Sequence, residues 1–122
     1  MNSSEFIIAT GINLFLYVLF LGIALWFKFF PPKGISLWYG YRTPRSMKNE
    51  ANWNYANNFS TSLLLWVPHL FLLCLIPLYL FGRSLPFMFF SPISTAISVF
   101  LFIAVIPITE YKLKQFEKSN AE

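Results

Sequence analysis

Three long runs of apolar residues limit what this chain can fold into more than any other feature of its sequence. The runs extend over about residues 6–27, 59–81 and 87–109, and none of them contains Asp, Glu, Lys or Arg. About 20 apolar residues in a helix cross the hydrocarbon core of a bilayer, which is roughly 30 Å thick. A chain of 122 residues that is 57% hydrophobic and 11% charged cannot hide this much apolar surface in a soluble core. The sequence therefore predicts an all-α integral membrane protein, with three transmembrane helices in one domain, 1–122.

Prolines and small polar residues within the runs predict how the helices bend and pack. Each of the second and third runs contains two prolines, which we expect to kink the helices without breaking them. The short segment 82–86 predicts an antiparallel hairpin of the second and third helices. Small residues let helices approach closely in lipid, and they share one face in the first helix (Gly11, Gly22) and in the third (Ser91, Ser94, Thr95, Ser98). A polar substrate pathway is the alternative reading of the hydroxyl face.

The basic residues predict the orientation of the chain. Eight of the nine lie either between the first two runs or after the third, and Arg83 lies alone between the second and third. Because basic loops stay in the cytoplasm, we expect the loop 31–58 and the C-terminus to be cytoplasmic and the N-terminus to be outside. The first run is preceded by Glu5 rather than by a basic segment, so we expect a retained helix rather than a signal peptide. These features predict a multi-pass membrane protein.

The loop 31–58 is polar and aromatic, unlike the rest of the chain. Pro31 and Pro32 end the first helix, because proline cannot donate a backbone hydrogen bond. Amphipathic aromatic rings favour the headgroup level of a membrane, and the loop has three of them close together, Trp38, Tyr39 and Tyr41. A guanidinium can hold a lipid phosphate or a carboxylate through two parallel hydrogen bonds, and Arg42 and Arg45 are candidates for this role.

The second half of the loop has a helical pattern. We expect an interfacial amphipathic helix between the first two spans, with Ser46 as its N-cap. Its apolar stripe has a spacing of four residues and consists of Met47, Ala51, Tyr55 and Phe59. Trp53 lies off the stripe among several asparagines, whose amides both donate and accept hydrogen bonds. Trp53 and the asparagines therefore indicate either a satisfied polar network or a site that recognises a peptide backbone. The alternative, a connecting loop that lies on the lipid headgroups, explains the arginines and the aromatic rings but not these residues.

Few residues of the chain are suited to chemistry. His69 lies in the second run, and an ionisable group there is a possible intramembrane polar site; a neutral imidazole hydrogen-bonded across the bundle is the alternative. Cys74 is the only cysteine, and the chain has no aspartate. These groups are too few for a metal site or for a nucleophile with its base, so we expect no enzyme, no cofactor and no metal. Without a dense basic face on a soluble module, we expect no nucleic-acid partner either.

The loop resembles the signature of the SdpI family. The similar residues are Gly40-Tyr41-Arg42-Thr43, then Ser46-Met47-Lys48-Asn49, then Trp53 and Ala56-Asn57. The resemblance covers Pro31 to about Ser62 closely, and the flanking spans match as hydrophobic helices. It implies a short form of a membrane protein family whose named member is an immunity protein against a secreted killing peptide. The site residues that it implies are Tyr41, Arg42, Thr43, Ser46, Lys48, Asn49, Trp53 and Asn57.

The resemblance also implies a function and partners. The expected function is resistance to a membrane-active peptide, either by binding the peptide or by occupying its target. The expected partners are membrane lipids, the toxin peptide and a cytoplasmic regulator. A small structural or assembly subunit of a larger membrane complex is the alternative, since a compact aromatic-rich bundle fits that role equally well.

Overall fold

The computed structural model describes residues 1–36 and 38–121 and contains three antiparallel helices in that part of the chain. They are α1 (Ser3–Phe29), α2 (Glu50–Phe81) and α3 (Phe87–Ala121). All three are long and apolar enough to cross a membrane. We call the end with the α1–α2 loop and the last turns of α3 the loop end, and the opposite end, with the 82–86 turn, the turn end. The predicted all-helical membrane architecture is confirmed.

Local sequence signals explain where the helices begin and end. At the start of α1, Asn2 and Glu5 form a capping box, in which each side chain accepts a hydrogen bond from the other residue's backbone N–H. Asn49 caps α2, because its side chain accepts a hydrogen bond of 2.8 Å from the backbone N–H of Asn52. The prolines do not break the helices: Pro68 and Pro77 lie inside α2, and α3 also continues through two prolines.

The predicted interfacial amphipathic helix is wrong. Residues 44–49 form a turn, and α2 then runs without interruption from Glu50 into the apolar segment. The predicted apolar stripe does not form the buried face, since Ala51 is exposed. The buried residues in the first turns of α2 are instead Asn52, Trp53, Ala56, Asn57 and Ser60. The reason is that α3 continues to Ala121, well beyond the apolar run, and gives this polar face a protein surface to pack against.

Tyr79 joins α1 to α2 at the turn end of the bundle. Its hydroxyl accepts a hydrogen bond of 2.9 Å from the Asn13 amide and lies 3.1 Å from the Thr10 hydroxyl. The Tyr79 ring also packs edge-on against Phe6 and Phe90, with centroid distances of 5.7 and 5.1 Å. Hydrogen bonds between side chains in an apolar surrounding add to helix association, so this cluster fixes the turn end.

The small residues do not all pack as predicted. Ser94 and Ser98 of α3 are buried, and their hydroxyls donate to backbone carbonyls of their own helix, three residues back. This arrangement supports the packing role of the hydroxyl face. Gly11 and Gly22, however, are exposed, and a Cβ added to either would meet no atom within 4 Å. The expectation that these two glycines bring helices together within the bundle is therefore wrong.

Candidate functional site

The loop closes over the loop end of the bundle by binding two carboxylates of α3. Glu110 accepts hydrogen bonds from the Tyr41 hydroxyl, at 2.7 Å, and from the Thr43 hydroxyl. Arg45 forms an ion pair of 2.8 Å with Glu117 and lies 3.6 Å from a Glu110 oxygen. Hydrogen bonds to an ionised group are stronger than neutral ones, so these contacts hold the loop against α3. We call this set of five residues the carboxylate clamp.

The asparagine face of α2 forms the inner wall of the site. The Asn57 amide oxygen accepts a hydrogen bond of 2.7 Å from the Tyr41 backbone N–H, and its nitrogen donates to the Trp53 carbonyl at 2.9 Å. Asn52 donates to the Arg45 carbonyl at 3.0 Å and also to Glu117. Asn52 and Asn57 therefore form a polar network with the loop and α3, as one of the two interpretations of the asparagine pattern expects, but the buried Trp53 indole N–H has no hydrogen-bond partner among the described residues. Trp53 is fully buried in this wall.

Gly40 allows the loop to approach α2 closely. Its φ of 107° lies in a region that L side chains rarely adopt. A Cβ at this position would lie 2.6 Å from the Asn57 amide oxygen and 3.2 Å from the Trp53 ring. Any other residue would therefore push the loop away from Asn57 and Trp53.

Ser46 fixes the turn that precedes α2, and the prediction that it caps the helix is wrong. Its hydroxyl accepts a hydrogen bond of 2.8 Å from the Thr43 backbone N–H and lies 2.9 Å from the Thr43 carbonyl and 3.1 Å from that of Tyr41. The Thr43 hydroxyl accepts a further hydrogen bond of 3.2 Å from the Ser46 backbone N–H. Ser46 is fully buried, so it positions Tyr41 and Thr43 rather than facing a ligand.

The phenol of Tyr41 stays protonated in the clamp. Burial raises the pKa of Tyr41 above its usual range, and the hydrogen bond to Glu110 and the charge of that carboxylate raise it further. The hydroxyl lies 3.1 Å from the Ile106 carbonyl as well as 2.7 Å from Glu110, so it acts as a hydrogen-bond donor. The Tyr41 hydroxyl therefore links the loop to α3 as a hydrogen-bond donor.

A half-open cavity of about 310 Å³ lies beneath the loop, between the three helices. Its polar rim contains the motif positions Tyr41, Arg42, Thr43 and Asn57. Its floor is apolar and is formed by Phe27, Leu64, Phe102, Val105 and Ile106. Polar groups at one side and hydrocarbon at the other suit a ligand that is itself amphipathic.

The predicted site residues do not all lie in this cavity. Arg42 is exposed at its rim and makes an interaction of its own within the protein. Lys48 is exposed and borders a separate recess with Arg45, Glu110 and Glu117. Asn49 is the exposed N-cap of α2. The structure thus divides the motif into cavity rim, clamp and helix start.

His69 lies far from the loop, on the exposed outer face of α2. Its ring packs edge-on against Tyr17 of α1, with the centroids 6.0 Å apart. The buried positions around it on α2 are Val67, Pro68 and Phe71. The exposed ring takes no part in the cavity or in the clamp, and its role as an intramembrane polar site stays a prediction.

Glu110 and Glu117 are the functional residues that sequence reasoning missed. They lie seven residues apart, which is two helical turns and therefore one face of α3. The chain has only five acidic residues, so two of them on one helical face were a usable signal. The signal was hidden because the third apolar run ends at residue 109 and α3 was expected to end with it.

Comparison with known proteins is consistent with this geometry. A stretch of 38 residues is 55% identical to the uncharacterized protein YfhL of Bacillus subtilis (strain 168), and it covers 31% of this chain and 34% of that protein. The chain thus matches about a third of the length of this curated relative. No solved structure matches the chain. The family model described as the SdpI/YfhL protein family matches residues 33–109, which include the loop, all of α2 and most of α3. The chain belongs to the SdpI/YfhL protein family.

Proposed function

We propose that this protein protects a bacterium against a membrane-active peptide, by binding the peptide or by occupying the peptide's target. Membership of the SdpI/YfhL family supports the proposal, because the resemblance to that family implies immunity. The protein acts in the inner membrane, with the loop end toward the cytoplasm, where the basic residues favour it. A cytoplasmic regulator would meet the protein at this end.

The observation that carries the proposal is the cavity beneath the motif loop. Four of the motif positions form its polar rim, while its floor consists of apolar side chains from all three helices. A membrane-active peptide has the same division into polar and apolar faces. The clamp holds the rim in place before a ligand arrives, and a preformed site loses less free energy on binding.

A killing assay with matched variants tests this proposal. The protein is expressed in a sensitive strain, which is challenged with a panel of membrane-active peptides, including the toxin of the family's named member. Arg42→Ala removes the cation of the rim, whereas Lys33→Ala removes an exposed charge of the same loop that does not line the cavity. We expect the wild type and Lys33→Ala to protect, and Arg42→Ala to lower the tolerated peptide concentration about tenfold, the value of one charge-assisted hydrogen bond.

The outcomes separate the parts of the proposal. Equal protection by Arg42→Ala, at equal amounts in the membrane, would remove the rim from the mechanism. No protection by the wild type against any peptide would refute the resistance function. Trp53→Ala is a poor test, because this residue is fully buried and its loss disrupts folding.

A further inference from the structure

The cavity beneath the loop lies at the level where a lipid changes from headgroup to hydrocarbon. On α2 its lining runs from Asn57, among the last asparagines of the helix, to Leu64, within the apolar run. On α3 the lining consists of Phe102, Val105 and Ile106, which precede the charged end of that helix. The polar rim therefore lies at the membrane interface and the floor lies in the hydrocarbon layer.

The rim carries a positive charge at the mouth of the cavity. Arg42 lines the mouth, and a guanidinium has five N–H donors, so it can bind an anion while it keeps its interaction within the protein. Glu110 of the clamp accepts two hydrogen bonds and lies 3.6 Å from the Arg45 guanidinium, which it shares with Glu117. These two carboxylates balance Arg42 and Arg45, but the chain at the loop end holds eight basic and four acidic residues, so its field favours an anion over a zwitterion or a cation.

The size of the cavity limits the apolar part of a ligand. Liquid water occupies about 30 Å³ per molecule and a methylene group is of similar size, so 310 Å³ holds about ten carbon atoms. That is part of one acyl chain and not two whole chains. The Thr61 hydroxyl also lines the cavity, and within the described part of the chain it has no hydrogen-bond partner. It is a second polar group that a ligand's phosphate or glycerol oxygen can reach.

We propose that this cavity binds an anionic amphiphile, with a phosphate at Arg42 and the first part of one hydrocarbon chain on the Leu64–Val105 floor. An anionic phospholipid of the surrounding leaflet and a free single-chain phosphate ester share this chemistry. The inference does not rest on the resistance function, since a resident lipid would occupy the site in the absence of any peptide.

Binding to the purified full chain tests the proposal. The protein in a non-ionic detergent is mixed with phosphatidylglycerol, phosphatidylcholine, dodecyl phosphate or inorganic phosphate, and bound species are counted by native mass spectrometry. We expect phosphatidylglycerol to bind about tenfold more tightly than phosphatidylcholine, because both phosphates can accept a hydrogen bond from Arg42 but the basic loop end repels the choline cation. We expect dodecyl phosphate to compete with it, and inorganic phosphate not to. Equal binding of the two phospholipids, or equal competition by inorganic phosphate, would overturn the proposal.

Paired variants locate the binding. Leu64→Trp fills the floor of the cavity, whereas Leu73→Trp places the same side chain on the exposed face of the same helix. We expect Leu64→Trp to lose the preference for phosphatidylglycerol and Leu73→Trp to keep it. Ile106→Trp, at a half-exposed position of the lining, replaces Leu64→Trp if that variant does not fold. Unchanged preference in a folded cavity variant would show that the lipid binds elsewhere on the surface.

A second pair of variants tests the charge at the mouth of the cavity. Arg42→Gln should lose the preference for phosphatidylglycerol, and Lys33→Gln should keep it.

Discussion

At the scale of single residues, the position of the loop against α2 depends on Gly40, which has no side chain. Gly40 brings the backbone against Asn57 and Trp53, and the Asn57 amide then pairs with the backbone of Tyr41. Trp53 and Asn57, both motif positions, form the surface that Gly40 approaches. Most of the motif positions thus make contacts that hold the loop on the bundle, and Arg42 is exposed at the cavity mouth.

Gly40→Ala should destabilise the protein by about 1–3 kcal/mol, because alanine is strained at this φ and its Cβ meets Asn57 and Trp53. The measurement is the unfolding temperature in detergent micelles. Gly34→Ala is the matched control in the same loop, since a Cβ at Gly34 meets no atom within 4 Å. Equal unfolding temperatures for the two variants would show that the close approach at Gly40 is not required.

At the scale of helices and loops, the contact between the loop and the end of α3 decides the architecture. The clamp joins a segment without regular structure to the part of α3 beyond the apolar run. Arg45 is a candidate from the sequence for holding a carboxylate, and it does so at Glu117. The apolar stripe of the loop, by contrast, predicts the wrong buried face. The face of α2 that is buried is the one whose asparagines find hydrogen-bond partners in the loop and in α3.

Tyr41→Phe should change how stability depends on pH. The pKa of Tyr41 is raised in the folded protein above its unfolded value of about 10. The folded state therefore holds the proton more tightly, so this stabilisation is complete below about pH 10 and is lost as the pH rises toward the folded pKa. We expect the wild type to unfold at a higher temperature than Tyr41→Phe near neutral pH, with a gap that narrows in the alkaline range.

The comparison with Tyr41→Phe cancels the titration of the lysines, which both proteins share. Unfolding is followed by circular dichroism in detergent across the pH series. A gap that remains constant through the alkaline range would contradict the role of the Tyr41 proton in the clamp.

The sequence predicts the spans well and the site only in part, for different physical reasons. An uncharged apolar run can be recognised in the local sequence, because the free energy of moving each side chain into lipid depends mainly on that side chain. The helix α1 and the hairpin of α2 and α3 were therefore predictable. The contacts of Glu110 and Glu117 depend on residues far away in the chain, and no local pattern reports such pairs. The exposure of His69 and Gly22 was not predictable for a similar reason. Helical periodicity shows which residues share a face of a helix, but it does not show whether that face points into the bundle.

At the scale of the whole molecule, charge is concentrated at one end. The loop end holds eight of the nine basic residues, and only Arg83 lies at the turn end, where its guanidinium packs over the Phe6 ring at 4.6 Å. Two of the five acidic residues, Glu110 and Glu117, form the clamp at this end, where they pair with the loop rather than with solvent cations. The molecule is thus polarised along its long axis.

This polarity predicts that the loop end faces the cytoplasm. Single cysteines introduced by Ser84→Cys or Lys118→Cys, each in a Cys74→Ser background, report the two ends. We expect a membrane-impermeant maleimide to label Ser84→Cys in intact cells and to label Lys118→Cys only after permeabilisation. The opposite labelling pattern would reverse the orientation, and the Cys74→Ser parent shows the background.

The clamp also has a consequence for biosynthesis. Its side-chain contacts join residues that are 65 to 72 positions apart in the chain. At about 5–20 residues per second, the ribosome takes several seconds to make the segment that separates them. During that time the loop has been made but its carboxylate partners have not, so the clamp is completed only after the last turns of α3 leave the ribosome.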